Sequence, residues 1–565
     1  MQYASNHHPI HKLHRFHGGL HLPDNKRQST GQPVAQAHLP KRLILPLQQH
    51  IGEIAESLVA VGDRVLKGEM IAKPQGYISS PVHASSSGIV VAIAEHAIPH
   101  PSGLSAPCIV IETDGKDEWC ELPEPIVDIT SAGHTLLRER IRSAGIVGLG
   151  GGAFPTSVKL NPGPDNPINT LVINGAECEP FITCDDMLMR AQADRIMAGI
   201  GILRHLTGAE KCLIGIEDNK PEAITAMSDV VARAALEWAE VVSIPTLYPS
   251  GGEKQLIKVL LGTEVPSGGI PAHIGVVCHN VGTAATVADA VLEGKPLISR
   301  YLTITGEGVN SPCNMKALIG TPAVELIDQA GGYAAAAAKL IMGGPMMGFT
   351  LHEDRVPITK ATNCLLVSSL SESPEASPAL ACIRCGKCAE VCPVNLLPQQ
   401  MYWYARAKDL EKAQDYNLFD CIECGCCSHV CPSHIPLVQY YRYAKTESWA
   451  QERETKSAEH ARLRHEAREA RLERLKAERK ARLGKKKEAL AKKSTAKKAD
   501  GVDPKKAAIE AAMKRAAEKK ANLSENGIKP ENTEQLTEAQ QRAIADADAR
   551  RTTDKETTIP DQQGK

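Results

Sequence analysis

Cys382-Ile383-Arg384-Cys385-Gly386-Lys387-Cys388-Ala389-Glu390-Val391-Cys392-Pro393 and, further on, Cys421-Ile422-Glu423-Cys424-Gly425-Cys426-Cys427-Ser428-His429-Val430-Cys431-Pro432 decide how this chain is read. Both runs have the form C-x2-C-x2-C-x3-C-P. Three thiolates at that spacing can wrap one face of an iron–sulfur cube, while the fourth is carried off by the intervening turn and ligates the other cube. The expected pairing is therefore crossed. Cys382, Cys385, Cys388 and Cys431 hold one [4Fe-4S] cluster, and Cys421, Cys424, Cys427 and Cys392 hold the second. Paired zinc sites also use C-x2-C, but a tetrahedral zinc leaves the two Cys-Pro endings without a role. Cys426 stands at a spacer position and is expected to pack. Two cubes sharing crossed ligands make a wire, and a wire needs a donor.

Outward from these runs, Gln399 to Lys412 reads as a helix linking them, so helices rather than hairpins should carry the clusters. The chain has 17 cysteines in 565 residues. Their crowding argues for metal ligation in a reducing compartment over a disulfide framework, and places the chain in the cytoplasm. Cys108, Cys120, Cys212, Cys278, Cys313 and Cys364 stand alone and should be inert. A formal net charge of −1 gives no argument for nucleic acid as a partner. The start, Met1-Gln2-Tyr3, lacks an apolar leader, and no stretch reaches the roughly 18 apolar residues of a membrane span, so any work at a membrane is done by docking. Beyond about residue 450 Glu, Lys, Arg and Ala dominate, which implies a solvated helix or disordered tail. Its Lys485-Lys486-Lys487 run could sit near anionic lipid. His8, His11, His14, His17 and His21 could gather a transition metal, although a mobile polar arm is the simpler expectation.

Residues 40 to 112 read as short β segments broken by Gly, Pro and Ser. From 133 to 293 helical stretches alternate with the buried-strand runs Leu171-Val172-Ile173, Cys212-Leu213-Ile214-Gly215-Ile216, Val241-Val242-Ser243-Ile244 and Ile274-Gly275-Val276-Val277, the pattern of an α/β domain on a largely parallel sheet. Residues 299 to 365 suggest a compact α+β module around a helix from Pro322 to Ala330.

Within the α/β stretch lies Gly148-Leu149-Gly150-Gly151-Gly152-Ala153-Phe154-Pro155-Thr156-Ser157-Val158-Lys159. Backbone N–H groups of such a run can close around phosphate oxygens, with Lys159 adding charge. The dinucleotide fingerprint should follow a strand and open a helix, yet Leu136 to Ala144 before it reads as helical, so an ordinary fingerprint fails in context.

The loop through Phe154-Pro155-Thr156 resembles the FMN-binding loop of the NADH-oxidising flavoprotein subunit of respiratory complex I. Three more segments agree in chain order: Asn174-Gly175-Ala176-Glu177-Cys178-Glu179-Pro180, Tyr248-Pro249-Ser250-Gly251-Gly252-Glu253 and Asn280-Val281-Gly282-Thr283. Leu149 stands where that loop has a basic residue, and Gly252 where that family has a glutamate. The resemblance implies that Gly148, Gly150, Gly151 and Lys159 hold the FMN phosphate and ribityl chain, with Asn174, Asn280 and Thr283 near the flavin. It implies further that Phe154 stacks on the nicotinamide nucleotide while Glu177, Glu179 and Glu253 line the pocket. Such chemistry requires no side chain to act as a nucleophile or general base.

Val61-Gly62-Asp63-Arg64-Val65-Leu66-Lys67-Gly68-Glu69 with Ser85-Ser86-Ser87-Gly88-Ile89-Val90 resembles the barrel-sandwich fold of biotinyl and lipoyl carrier domains, without a carrier lysine at the hairpin tip. Added to Phe16-His17-Gly18-Gly19, Lys26 and Gly343-Gly344-Pro345-Met346-Met347-Gly348, this resembles the C subunit of the Rnf/Rsx-type ion-translocating electron-transport complexes. The implied architecture is a barrel-sandwich module (1–120), a Rossmann-like α/β flavin domain (130–294), a β-grasp module similar to soluble-ligand-binding domains (295–370), an α-helical ferredoxin-type domain with two [4Fe-4S] clusters (375–445) and a charged tail (446–565). The implied role is peripheral, on the cytoplasmic face of the bacterial inner membrane, moving electrons between NADH, FMN, the clusters and membrane-bound subunits, with a ferredoxin-like carrier as a further partner. A cobalamin reductase of the propanediol-utilisation type shares these modules, and an electron-transfer adaptor with a vestigial flavin site is the non-enzymatic alternative.

Overall fold

The computed structural model describes residues 11–163, 165–373, 377–496, 504–525 and 545, so Met1-Gln2-Tyr3 and His8 lie outside the described residues. Two units divide the chain, Met1–Glu454 and Thr455–Lys565. In the first, strands Arg42–Pro46, Ser105–Thr113, Gly88–Ala97 and Arg64–Val65 form an antiparallel sheet, and Glu56–Ser57, Met70–Lys73 and Val82–His83 form a smaller one. Leu43, Leu45, Val65, Ile71, Val90, Ile109 and Ile111 are buried between them. This is the expected barrel sandwich, its alternate residues turned inward.

The flavin-type domain follows as four parallel strands in the order Ala239–Ile244, Lys211–Glu217, Thr170–Gly175, Val276–Asn280. Their near-continuous apolar sequences suit strands covered on both faces. Helices Cys184–Thr207 and Val281–Leu292 cross so closely that a Cβ on Gly199 would lie 1.8 Å from the Ala284 carbonyl oxygen. The first and last strands of this sheet in sequence, Thr170–Gly175 and Val276–Asn280, are parallel neighbours, and the two closely crossing helices are the ones that follow them. A crevice at the carboxyl ends of such strands is where open α/β sheets take ligands. Asn174 and Asn280 stand opposite each other there.

The third module is a six-stranded sheet in the order Ala35–Gln36, Cys313–Leu318, Ser299–Thr305, Cys364–Ser368, Lys339–Met342, Phe349–Thr350, with helix Ala323–Gln329 packed on its core. Short helices Lys387–Glu390, Pro398–Ala407, Leu410–Asp415 and Cys426–His429 build the cysteine region. The single helix expected from Gln399 to Lys412 is instead two, because Lys408 adopts a left-handed conformation (φ 59°) and Asp409 caps a new helix by accepting from the Lys412 N–H. Helix Leu437–Ala496 begins in this unit. In the second unit, its residues from Thr455 to Lys492 are exposed, and helix Pro504–Glu525 follows. Over the described residues that is the solvated helix of the two expected alternatives.

The segment before the barrel does not behave as a mobile arm. His14 N–H donates to the Val259 carbonyl, Leu20 and Tyr248 exchange two backbone bonds, and Gly19 N–H donates to Val391 O. Gly18, at φ +66°, lies so near Val391 that a Cβ would sit 2.5 Å from its carbonyl carbon. The histidines are spread along this path: His11 bonds the Leu260 carbonyl, His14 packs under Gly262 and His17 bonds the Cys392 carbonyl. Among the described residues they form no metal-ligating group.

Lys360 locks three modules together. Its buried Nζ donates to Ser80 Oγ, Pro81 O and Gly145 O at 3.1, 2.7 and 2.7 Å. Burial, helped by this lysine, pushes the His83 ring down to about 3 and the His50 ring down to about 4. Above pH 6.5 both rings are neutral in folded and unfolded chains alike. As pH falls from 6.5 towards these values only the unfolded chain takes up the protons, so stability is lost. Between pH 7 and pH 5 the thermal unfolding of the barrel is expected to weaken by about 2 kcal/mol from His83 alone. His83→Gln should flatten that pH dependence, and an equally steep profile in the variant would contradict it.

Candidate functional site

The glycine loop runs over the carboxyl end of the parallel sheet as a closed turn. Gly148 N–H donates to Phe154 O, and Ala153 N–H returns to Gly148 O, at 2.8 and 3.0 Å. Helix His134–Ser143 precedes it, with no strand leading into the loop, so this is not the dinucleotide fingerprint in its usual setting. Leu149 N–H donates to Thr283 Oγ1 at 2.9 Å, and Ala153 O accepts from Ile51 N–H of the barrel at 3.2 Å. Gly150, Gly151 and Gly152 are exposed. Their N–H groups donate to no protein acceptor among the described residues, and a Cβ on Gly151 or Gly152 would meet nothing within 4 Å. A bare, pinned row of donors is what a phosphate needs.

Asn280 lies against Gly150. Its Oδ1 caps helix Val281–Leu292 by accepting from Gly282 and Thr283 N–H, and its Nδ2 donates to Asp185 at 2.5 Å. The glycine loop thus meets a helix N-terminus, where the backbone dipoles favour an anion. Asn174 Nδ2 holds Gly251 O at 2.8 Å. Lys159 bonds Glu253 at 2.6 Å and the Cys278 carbonyl at 3.2 Å. Burial opposes its charge, but Glu253 outweighs this and raises the Lys159 pKa. Phe154 is half-buried beside the loop.

Glu177 and Glu179 are not solvated loop carboxylates. Glu177 accepts from the Asp185 and Asp186 N–H groups at 2.6 and 3.2 Å, capping helix Cys184–Thr207, and burial raises it to about 7. Glu179 accepts from Met346 and Met347 N–H at 2.7 and 2.9 Å, and burial raises it too. Lys26 fixes the loop that carries both by donating to the carbonyls of Glu177, Glu179 and Ile182 at 2.8, 3.0 and 2.6 Å.

Cys382, Cys385, Cys388 and Cys431 line one cavity of about 330 Å³ with Gln399, Tyr402 and Trp403. Cys427 lies near Cys421, Cys424 and Cys392, with Cys388 of the first group also close. The cavity brings together the four cysteines of one expected crossed set. Gly386 and Gly425, at φ +80° and +82°, turn the two runs alike. Among the described residues the one group of three candidate ligands within 4.8 Å of one another is Glu177, Cys184 and Asp185, outside both cysteine groups.

The two sets differ in depth. Cys392, Cys424 and Cys427 are buried, whereas Cys385 is exposed. The buried set abuts the flavin-type domain: Tyr248, 3% exposed, donates its hydroxyl to Cys424 O at 2.6 Å and packs with Cys424, Cys426, Leu20, Leu22 and Met346. Cys426, fully buried there, packs as expected. Of the isolated thiols, Cys108 and Cys278 are each pushed up to about 12 by burial, which keeps them protonated.

Family models match every module: the RnfC barrel sandwich hybrid domain over residues 14–116, the Nuo51 FMN-binding domain over 141–289, the SLBB domain over 301–350 and the 4Fe-4S dicluster domain over 381–435. The C subunit of the ion-translocating oxidoreductase complex of Yersinia pestis is 48% identical over 463 residues, covering 82% of this chain and 74% of that protein. The chain belongs to the family of C subunits of ion-translocating oxidoreductase complexes. Its counterpart in Pseudomonas aeruginosa is 51% identical over 462 residues, and that in Vibrio cholerae 48% over 524, covering 82% and 92% of this chain. The chain spans 59% of the length of the first of these two and 66% of the second. As in its family, the chain combines an FMN domain with a domain for two [4Fe-4S] clusters. No described helix is long and apolar enough to cross a membrane.

Asp185, Arg300 and the seam function of Tyr248 escape sequence reading. Arg300 alone left a trace, a charge inside the apolar run from Leu297 to Ile304. Tyr248→Phe removes the hydroxyl that holds Cys424 O, a bond worth about 1 kcal/mol. Amide exchange over residues 421–430 is expected to quicken while the barrel is unchanged; identical exchange would show that this bond does not hold the seam.

Proposed function

We propose that this chain moves electrons between NADH and the other subunits of an ion-translocating complex, docked peripherally on the cytoplasmic side of the inner membrane. The observation that carries this reading is the seam at Tyr248, which joins the end of the flavin-type sheet directly to the buried cysteine set. Bound FMN supplies the exchange between a two-electron hydride and the single electrons that iron–sulfur clusters accept.

The chain's own residues bind, orient and exclude water. Gly148, Gly150 and Gly151 present backbone to the phosphate and ribityl chain, and Lys159 adds positive charge whose Glu253 partner keeps it protonated. Asn174, Asn280 and Thr283 fix the floor of the crevice. Phe154 offers an aromatic face to the nicotinamide nucleotide. Glu177 and Glu179, tied down by backbone N–H groups, close the acidic side of the pocket. Cys421, Cys424, Cys427 and Cys392 hold the inner cluster. Cys382, Cys385, Cys388 and Cys431 hold the outer one, whose exposed Cys385 faces the next carrier, a membrane-bound partner or a ferredoxin-like protein. No step calls for a nucleophile or a general base.

The test is anaerobic purification of the full chain with flavin release and iron quantitation, followed by addition of NADH. Bound FMN, about eight irons per chain and rapid bleaching of flavin and cluster absorbance are expected. Full iron without flavin or bleaching would remove the NADH site and leave an electron-transfer adaptor. Bleaching with cobalamin as the competent acceptor and no co-purifying membrane proteins would move the assignment to a cobalamin reductase.

A further inference from the structure

One enclosed charge is aimed at the glycine loop from a different module. Arg300 lies on strand Ser299–Thr305 of the β-grasp sheet and is 3% exposed. Its Nη2 donates to the Leu149 carbonyl oxygen at 2.9 Å, and its Nη1 donates to the Lys360 carbonyl. Its charge faces Cys184 and Asp185. A guanidinium taken out of water is tolerated only where its rigid fork finds acceptors and an opposite charge, and here it finds both.

The direction of the Leu149 carbonyl sets the direction of the next N–H. In a trans peptide unit the C=O of one residue and the N–H of its successor lie in one plane and point opposite ways. Drawing Leu149 O down to Arg300 therefore turns the Gly150 N–H up, to the open side of the loop. On that side Gly150, Gly151 and Gly152 carry donors with no protein acceptor among the described residues. The unit before it is set from within the flavin-type domain, since Leu149 N–H goes to Thr283 Oγ1. Without the guanidinium this peptide unit can rotate, because the glycine after it opposes no conformation. A carbonyl oxygen would then face the place where a phosphate must sit.

We propose that Arg300 is a positioning residue for the flavin phosphate: it holds the Leu149–Gly150 peptide with its N–H towards the anion, so the β-grasp module completes a site it does not touch. This rests on the assignment of the glycine loop to the FMN phosphate. Because Arg300 acts through that peptide, it affects the phosphate and not the isoalloxazine ring. FMN and riboflavin, which differ only in the phosphate, separate the two.

The experiment measures binding of FMN and of riboflavin to flavin-depleted full-length protein by quenching of flavin fluorescence, with iron content as the check on folding. The native chain should prefer FMN; no preference would sink the loop assignment itself, independently of Arg300. In Arg300→Met the preference for FMN over riboflavin should fall at least 10-fold, with riboflavin affinity and iron unchanged. An unchanged preference, or equal weakening of both ligands, overturns the proposal. If Arg300→Met loses its iron, Arg300→Lys decides, since it keeps the charge beside Asp185 but not the fork. A preference below the native one supports the proposal, and the full native preference overturns it.

Discussion

A loop that offers three consecutive backbone N–H groups to an anion must itself be held, because glycine confers no rigidity and every unpinned residue costs conformational entropy. In this chain three of the restraints come from outside the loop. Thr283 takes the Leu149 N–H, Arg300 takes the Leu149 carbonyl and Ile51 takes the Ala153 carbonyl, so helix, β-grasp sheet and barrel each supply one contact. The modules are consequently parts of one frame. The barrel touches the glycine loop through Ile51, and Lys360 ties the barrel to the turn at Gly145, three residues before the glycines.

The same economy governs the approach of the clusters. The N-terminal segment crosses the flavin-type domain, pairs with Tyr248 and ends on three carbonyls through Lys26. It thereby fixes both the acidic loop of Glu177 and Glu179 and the flank of the buried cysteine set. Glu179 in turn reaches Met346 and Met347 of the β-grasp module, and Gly425 lies close against Met346. Most of these contacts engage backbone groups, which keeps the seam insensitive to side-chain rotamers.

The cysteine runs, the parallel sheet and the glycine loop were legible in the sequence because each is local: a spacing, a periodicity, a composition. The gathering of Cys431 with Cys382, Cys385 and Cys388 on one cavity agrees with the crossed grouping expected from the two runs, which turn alike at Gly386 and Gly425. Lys408 hid the break between two helices, because a left-handed lysine leaves no mark in composition. The histidine-rich start looked like a free arm, and what pins it is backbone pairing with residues more than 200 positions away. Arg300 and Tyr248 act across modules, so their partners Leu149 and Cys424 could not be named from either neighbourhood alone. Glu177 and Glu179 were expected near a pocket, yet their engagement by N–H groups depends on how two loops close.

The proposed electron path runs from the flavin-type crevice to the buried cysteine set and then to the exposed one. Removing the outer cluster with Cys385→Ser and following NADH reduction by stopped flow, with a dye as terminal acceptor, tests that order. The flavin and the remaining cluster are expected to be reduced at the native rate while delivery to the acceptor stalls. Loss of reduction of the remaining cluster would contradict that order, because the exposed set would then stand between the flavin and the buried one.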